Sequence, residues 1–380
     1  MVTDASSPPK RDPTPWAGPF RFSENNFDLV RLVAAGEVAV RHSLHFLAPT
    51  ALTDVVLGLL ALVPGVPIFF FLSGYLISRS LERSTSTRDY FRNRALRLFP
   101  ALWACIGVSL VFLFLTGYLS TASWTGGRLA AWVLCQATIL QFWNPEFLRE
   151  FGTGVVNGSL WSVSVEIQFY VVIWVVYRVL RGMRHGHMTV ALVLVALAFG
   201  PLNAFKVEIG SALDASLGTA LGSKLYRASF LPWFYLFMLG VVAQRCAAIV
   251  VPLLRDRCVA TVAIYAVCML IDYSFWGIPL GNEIPAYLVP IMGATVLALA
   301  YSRPTLGERM LRGNDVSYGF YVYHMPLINL VMYLGAPQSP LSSLAALAGA
   351  LALAALSWRF VERPFLRRKR GSLRAVTARP

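Results

Sequence analysis

The sequence predicts an all-α, polytopic membrane protein with about ten transmembrane helices and one additional re-entrant or interfacial segment. Three observations predict this class: 57% of the 380 residues are hydrophobic, only 14% are charged, and the apolar residues are gathered in long runs. Soluble domains have roughly 25% charged residues, so a soluble chain of this composition would lack a polar surface. A bilayer accepts apolar side chains, provided that helices satisfy the backbone hydrogen bonds.

Ten apolar runs come close to the roughly 20 residues that a helix needs to cross the hydrocarbon layer. They lie at 27–47, 62–81, 101–119, 159–180, 188–205, 228–250, 258–280, 284–302, 316–336 and 341–360. A shorter apolar segment, 127–143, is predicted to be re-entrant or interfacial, because counting it as a span would move every later basic cluster across the membrane. Basic residues concentrate in cytoplasmic loops. We therefore expect a multi-pass protein of the bacterial inner membrane with both termini in the cytoplasm.

The chain is predicted to have three parts. Residues 1–24, rich in Pro, Ser and Thr, are expected to form a disordered cytoplasmic tail, and 25–366 the transmembrane domain. Residues 367–380 are expected to form a basic cytoplasmic tail that rests on anionic lipid head groups. The formal charge of +14 does not indicate nucleic acid as a partner, because the basic residues lie in short clusters between apolar runs.

The first predicted helix carries ionisable side chains that are costly in a bilayer and persist mainly where they face a polar cavity. Arg31 and His42 are eleven residues apart, which places them on one helix face with a rise of about 16 Å between them. Imidazole titrates near neutral pH, so His42 is a candidate general base or proton carrier. The alternative is that His42, like His45, pairs with another helix to fix packing.

Two later polar residues and one arginine cluster are further candidates. Glu166 stands in an otherwise apolar run, where its carboxylate would pair with a basic group or orient a histidine. His324 is a candidate second polar centre, with a structural role as the alternative. The three arginines within six residues, Arg92, Arg94 and Arg97, suit phosphate, because the planar guanidinium binds two of its oxygens at once. The alternative role for this cluster is a cytoplasmic membrane anchor.

Together these residues resemble the acyltransferase-3 family of integral membrane acyltransferases. The resemblance rests on six blocks in the same order, spread over residues 27 to 366. The blocks are Arg31 with His42; Phe69–Phe70–Phe71–Leu72–Ser73–Gly74–Tyr75; Arg94, Arg97, Leu98 and Pro100; Trp161, Ser162, Glu166, Phe169 and Tyr170; Ser317, Tyr318, Gly319, Tyr321 and His324; and Val361–Glu362–Arg363–Pro364–Phe365.

The resemblance implies ten spans, cytoplasmic acyl-CoA (acetyl-CoA by family habit) as co-substrate, and a hydroxyl of a carbohydrate or glycolipid as acceptor. It implies essential, catalytic roles for His42 and Arg31, and donor binding by Arg94 and Arg97. Our own hypothesis adds that Arg92 helps to bind the donor phosphates and that Glu166 or His324 orients the imidazole. No metal is expected. An acyl-histidine intermediate stays open beside direct transfer. The charged residues Glu37 and Arg41 depart from the more apolar first helix usual in the family. Their spacing of four residues suits an ion pair, and the alternative is that they reflect a distinct acceptor.

Composition alone leaves two other classes open. A transporter or lipid flippase without acyl-transfer chemistry would also have many spans, buried charges and cytoplasmic arginines. A sensor or scaffold would show neither transport nor turnover. Turnover of acyl-CoA separates the enzyme from both alternatives.

Overall fold

The computed structural model describes residues 24–276 and 282–368, and helices form most of this part of the chain. No β-strand occurs among these residues, which confirms the all-α class. The two predicted tails lie almost entirely outside the described residues.

Seventeen α-helices are found in the described ranges, several of them too short to cross a membrane. They are α1 Phe27–Leu47, α2 Ala51–Leu60, α3 Gly65–Glu82, α4 Thr87–Leu115, α5 Tyr118–Thr121, α6 Gly126–Gln136, α7 Trp161–Val179, α8 His185–Ala204, α9 Lys206–Leu217, α10 Leu221–Ala228, α11 Phe234–Arg245, α12 Ala247–Leu254, α13 Cys258–Trp276, α14 Val289–Tyr301, α15 Leu306–Leu311, α16 Ser317–Tyr333 and α17 Pro340–Ser357. A π-helical turn, Trp358–Glu362, follows α17 directly.

Six helical segments of the described chain are long and apolar enough to cross a membrane, or seven if α11 and α12 form one bent span. The predicted span 228–250 is not a straight helix, because α11 and α12 meet at 91°. Three helices that correspond to other predicted spans are not among these segments. α14 and α16 are short, with 13 and 17 residues, and α1 carries four charged side chains over its 21 residues. The multi-pass character is therefore supported, and the count of ten spans stays a prediction.

Helix boundaries follow the predicted runs closely at α1, which covers 27–47, and poorly at α4. α4 begins at Thr87, fourteen residues before the predicted run, because Ser86 caps it by accepting a hydrogen bond from the Asp89 backbone N–H at 3.1 Å. Pro100, which directly precedes the predicted run 101–119, lies inside the helix. In the segment 127–143, α6 has 11 residues, about 16 Å of helix, which is too short to cross a bilayer.

The centre of the molecule is built by α1, α3, α11 and α16. α3 packs along α11, and α1, α16 and α17 pack against one another. Two glycines allow α3 and α11 to touch through their backbones: a Cβ at Gly74 would overlap the Phe237 carbonyl, and one at Gly240 would overlap the Phe71 carbonyl. Small residues permit this close approach between membrane helices.

Replacing Gly240 with alanine should lower the free energy of unfolding by on the order of 3 kcal/mol, the upper end of the overpacking range, because the obstacle is backbone that has no rotamer to move to. Thermal unfolding of the purified protein in detergent measures the effect. Gly107→Ala is the matched control, since a Cβ there meets no atom within 4 Å. Equal unfolding temperatures for the two variants would contradict the backbone contact.

Candidate active site

Two histidines from distant parts of the chain meet between α1 and α16. His42 Nδ1 lies 2.9 Å from His324 Nε2, and the two rings stack with centroids 5.2 Å apart and an interplanar angle of 15°. His324 is buried, with 1% of its surface exposed. The sequence predicts that Glu166 or His324 orients His42. Of these two residues, His324 is in direct contact with His42.

The hydrogen bonds of this pair fix where its protons lie. His324 Nδ1 is 2.6 Å from the Tyr321 carbonyl oxygen, which only accepts, so Nδ1 carries the proton. In a neutral His324 the other nitrogen, Nε2, then accepts, and His42 Nδ1–H must donate to it. His42 Nε2 is left with its lone pair and has no hydrogen-bond partner among the described residues. This is the arrangement of a general base whose orienting partner is a second imidazole.

His42 lines a pocket of about 370 Å³ at the α2 end of α1. The other lining residues are Arg41, His45, Phe46 and Leu57, so α1 supplies four of the five side chains and α2 the fifth. His45, three residues after His42, therefore shares the pocket with it. A basic nitrogen at the wall of a pocket is suited to removing a proton from a bound hydroxyl group.

The segment before α7 and its first turn hold Tyr321 in place. The Tyr321 hydroxyl lies 2.7 Å from Ser162 Oγ and donates to the Ser159 carbonyl at 3.2 Å. One residue further along α16, the Val322 carbonyl accepts from Asn157 Nδ2 at 2.8 Å. Pro326 has no N–H to give to the Val322 carbonyl within the helix, so this acceptor is free for a contact between segments.

Glu37 and Arg41 form the ion pair that their spacing suggests, with Arg41 Nε 2.6 Å from Glu37 Oε1. The second carboxylate oxygen, Oε2, accepts from the Gly65 backbone N–H at 3.1 Å, at the first turn of α3. The carboxylate is therefore buried between a guanidinium and a helix N-terminus, both of which favour negative charge.

At the other end of α1, a buried aspartate joins three helices. Asp315, in the loop before α16, forms a short ion pair with Arg97 of α4, and Arg31 Nη1 of α1 lies 3.5 Å away. Burial alone would raise the pKa of Asp315, but the two guanidinium groups outweigh it and lower the pKa to about 2. Arg31 and His42 thus both face the α16 segment, as their eleven-residue spacing predicts.

The three arginines of α4 do not form one cluster. Arg92 and Arg94 are 200° apart on a helix, which turns them to different sides. Arg92 is exposed. Arg94 donates a hydrogen bond to Ser80 Oγ at 3.0 Å, and its guanidinium carbon lies 6.0 Å from the centroid of the Tyr170 ring. Arg97 forms the ion pair with Asp315. Arg92 and Arg94 are therefore the candidates for binding phosphate, each on its own side of α4.

Glu166 belongs to a different polar group from His42. Its Oε1 accepts from the Tyr170 hydroxyl at 2.7 Å and from Ser73 Oγ at 3.2 Å. Arg94 also lies against Tyr170, so Glu166 adjoins the arginine side of the site. The structure gives no hydrogen bond between Glu166 and either histidine of the pair.

Asp315 is the main residue of the site that the sequence did not predict. Tyr321 contributes through its backbone carbonyl, which no sequence pattern identifies. Asp315 stands two residues before Ser317, whose backbone N–H and hydroxyl it also binds. An acidic residue directly before an apolar run was the available signal. In the described ranges, no group of three or more His, Cys, Asp or Glu side chains has the arrangement of a metal site.

Comparison with known proteins identifies the kind of domain that this chain contains. Residues 24–359 match the family model described as an acyltransferase domain. The chain is 30% identical over 360 residues to nodulation protein 10 of Rhizobium leguminosarum bv. viciae, covering 90% of this chain and 93% of that relative. No solved structure matches the chain.

Two further relatives carry more specific names. The chain is 28% identical over 352 residues to an O-acetyl transferase of Shigella phage Sf6, covering 90% of this chain and 96% of the relative. It is 24% identical over 340 residues to the peptidoglycan O-acetyltransferase OatA of Listeria monocytogenes, covering 81% of this chain and 51% of that protein.

Changing Asp315 to asparagine should lower the free energy of unfolding at neutral pH by about 3 kcal/mol, because Arg97 and Arg31 lose a buried counter-charge. The folded pKa lies below the unfolded value of about 3.9, so this stabilisation is present above about pH 4 and is lost as the pH falls towards 2. Thermal unfolding at several pH values measures it.

The matched control for this change is Asp256→Asn. Asp256 is exposed and adopts a positive φ of 61°, which asparagine tolerates, so the control should leave stability unchanged. The same unfolding temperature for Asp315→Asn and the wild-type protein at pH 7 would show that the buried carboxylate does not hold the three helices together.

Proposed function

The chain belongs to the acyltransferase-3 family, and from this we propose that it transfers an acetyl group from cytoplasmic acetyl-CoA to a hydroxyl of a carbohydrate or glycolipid. Membership makes it an acyltransferase, which sets aside the transporter and scaffold alternatives. The names of the phage and Listeria relatives support O-acetyl transfer, and the second supports a glycan acceptor. The protein would work in the bacterial inner membrane, with both termini in the cytoplasm.

The observation that carries the proposal is the paired imidazole at the pocket. Nε2 of His42 is free to accept a proton, and His324 holds the ring from behind. In the proposed reaction the acceptor hydroxyl attacks the thioester carbonyl carbon and His42 Nε2 takes its proton. The tetrahedral adduct then collapses with cleavage of the C–S bond, and the departing thiolate takes the proton from His42. The products are an ester and free CoA.

We assign the donor to the Arg31 end of α1 and the acceptor to the pocket end. Arg92 and Arg94 are the proposed phosphate-binding groups, since Arg97 is held by Asp315. The distance from Arg31 to His42 along the helix is about 16 Å, half of the hydrocarbon thickness. A donor bound at one surface would need an extended arm of this length to bring its thioester to His42. Glu166 would act on the donor side, by holding Tyr170 beneath Arg94.

His42→Ala should lower kcat by at least about 10²-fold, the ordinary contribution of a general base, while KM for acetyl-CoA changes little. The assay follows radiolabel from acetyl-CoA into surface polysaccharide and glycolipid fractions with protein in vesicles. His187→Ala, at an exposed histidine of α8, is the control. Transfer by His42→Ala at the wild-type rate would remove His42 from the mechanism, and label trapped on His42 in the absence of acceptor would replace direct transfer by an acyl-histidine intermediate.

Variants of His324 should separate its hydrogen bond from its bulk. Glutamine keeps an oxygen that accepts from His42 Nδ1–H, whereas leucine removes the acceptor and would leave that N–H unpaired. We expect kcat to decrease in the order wild type, His324→Gln, His324→Leu, with KM for acetyl-CoA unchanged. Equal kcat values for the two variants would contradict an orienting role for this hydrogen bond.

A further inference from the structure

His45 lines the same pocket as His42, and the reaction proposed above does not use it. The residue is exposed and makes no hydrogen bond with any other described residue. In a neutral imidazole one ring nitrogen donates a hydrogen bond and the other accepts one. His45 therefore offers both kinds of hydrogen bond to a molecule in the pocket.

The Phe46 ring lies close to both imidazole groups of the pocket. Its centroid is 6.3 Å from that of His42 and 4.8 Å from that of His45, and the His45 ring meets it in a T-shaped arrangement. The Phe46 side chain also packs against a buried apolar cluster, which is formed by Leu47, Met325, Ile328 and Ala346. This packing holds the aromatic ring in place at the pocket wall.

The lining of the pocket is suited to an uncharged ligand. Arg41 belongs to the lining, but its Nε is 2.6 Å from the buried carboxylate of Glu37, so this pair carries little net charge. Leu57 is apolar. His42 and His45 are the remaining polar side chains of the lining, and neutral hydroxyl groups are suitable partners for both.

A sugar ring has the features that this pocket would recognise. The C–H groups of a pyranose form an apolar, slightly positive face, which suits the negative face of an aromatic ring. Its hydroxyl groups project from the rim, where they can bond with imidazole nitrogens. The volume of about 370 Å³ is near the lower end of the roughly 300–1,000 Å³ of ligand pockets, which favours a single ring over a longer glycan.

The position of His45 on α1 favours entry of the acceptor from the end opposite to the donor. α1 ends at Leu47, two residues after His45, and the exposed Pro49 and Thr50 follow. Arg31 lies fourteen residues before His45, about 21 Å away along the helix. A molecule that enters past His45 therefore meets His42 from the side that a donor at the Arg31 end leaves free.

We propose that Phe46 and His45 form the subsite that recognises the acceptor. One sugar ring lies against Phe46, the hydroxyl that receives the acyl group reaches His42 Nε2, and a neighbouring hydroxyl bonds with the His45 imidazole. Residues three apart on a helix have Cβ atoms about 5–6 Å apart, a separation that one sugar ring spans. This inference rests on the proposed function and adds that the acceptor is selected by its ring and by a pair of adjacent hydroxyl groups.

The test measures acetyl transfer, by protein in vesicles, to two probe acceptors with the same tail, octyl glucoside and octyloxyethanol. The second probe has one hydroxyl group and no ring. The readout is the kcat/KM for the glucoside divided by that for octyloxyethanol, which cancels any loss that both acceptors share. His45→Ala should lower this ratio by about tenfold, the upper end for one neutral hydrogen bond. Phe46→Leu should lower it by about fivefold through loss of the aromatic face, and KM for acetyl-CoA should not change.

Conservative variants separate these contacts from a structural role. His45→Gln keeps a donor and an acceptor, and Phe46→Trp keeps an aromatic face, so both should retain most of the wild-type ratio. The matched controls are His187→Ala and Phe114→Leu, at exposed residues of α8 and α4. If His45→Ala fails to fold, His45→Phe takes its place in the comparison, because it keeps a ring and loses both nitrogens.

An unchanged ratio in either His45→Ala or Phe46→Leu would overturn the proposal. A wild-type protein that transfers to octyloxyethanol at least as efficiently as to octyl glucoside would overturn it as well. So would transfer to the polysaccharide and glycolipid fractions without transfer to octyl glucoside. Absence of transfer to every one of these acceptors would instead overturn the proposed function.

Discussion

The arrangement of the site depends on the way α1 and α16 are held side by side by two buried polar contacts. At one end the aspartate before α16 binds Arg31 of α1 and Arg97 of α4. At the other end His42 of α1 meets His324 of α16. Apolar packing is non-directional and would leave the two helices free to slide, whereas these contacts are satisfied in one register only. The position of the imidazole pair is therefore coupled to the ion pairs at the far end.

This coupling accounts for the polarity of α1. A helix with four charged residues and two histidines is expensive in a bilayer unless each group has a partner. Asp28 and Arg31 pair with each other, and Glu37 pairs with both Arg41 and the start of α3. His42 keeps its Nε2 uncommitted at the pocket. The polar groups of α1 thus serve two purposes, since most of them secure the helix and the rest are left to meet a substrate.

The sequence predicted the helical class and the face shared by Arg31 and His42, because both follow from hydropathy and from helix periodicity. It did not predict the early start of α4, which depends on a capping serine ahead of a polar first turn and not on apolar residues. It grouped Arg97 with Arg92 and Arg94 and missed Asp315, because charge along a chain does not reveal which charges meet after folding. Glu166 was one of two candidates to orient His42, and only the packing of α7 shows that its hydrogen-bond partners are Tyr170 and Ser73.

The proline of α16 shows how a local defect becomes part of the site. Inside a helix proline removes one backbone hydrogen bond, and Pro326 leaves the Val322 carbonyl without its donor. In a membrane an unpaired carbonyl is costly, so another segment must satisfy it, and Asn157 and the Cys105 thiol donate to it. These donors tie α4 and the segment before α7 to the turn of α16 that carries His324. The orientation of His324, and through it the free nitrogen of His42, therefore depends on a hydrogen bond that the helix itself lacks.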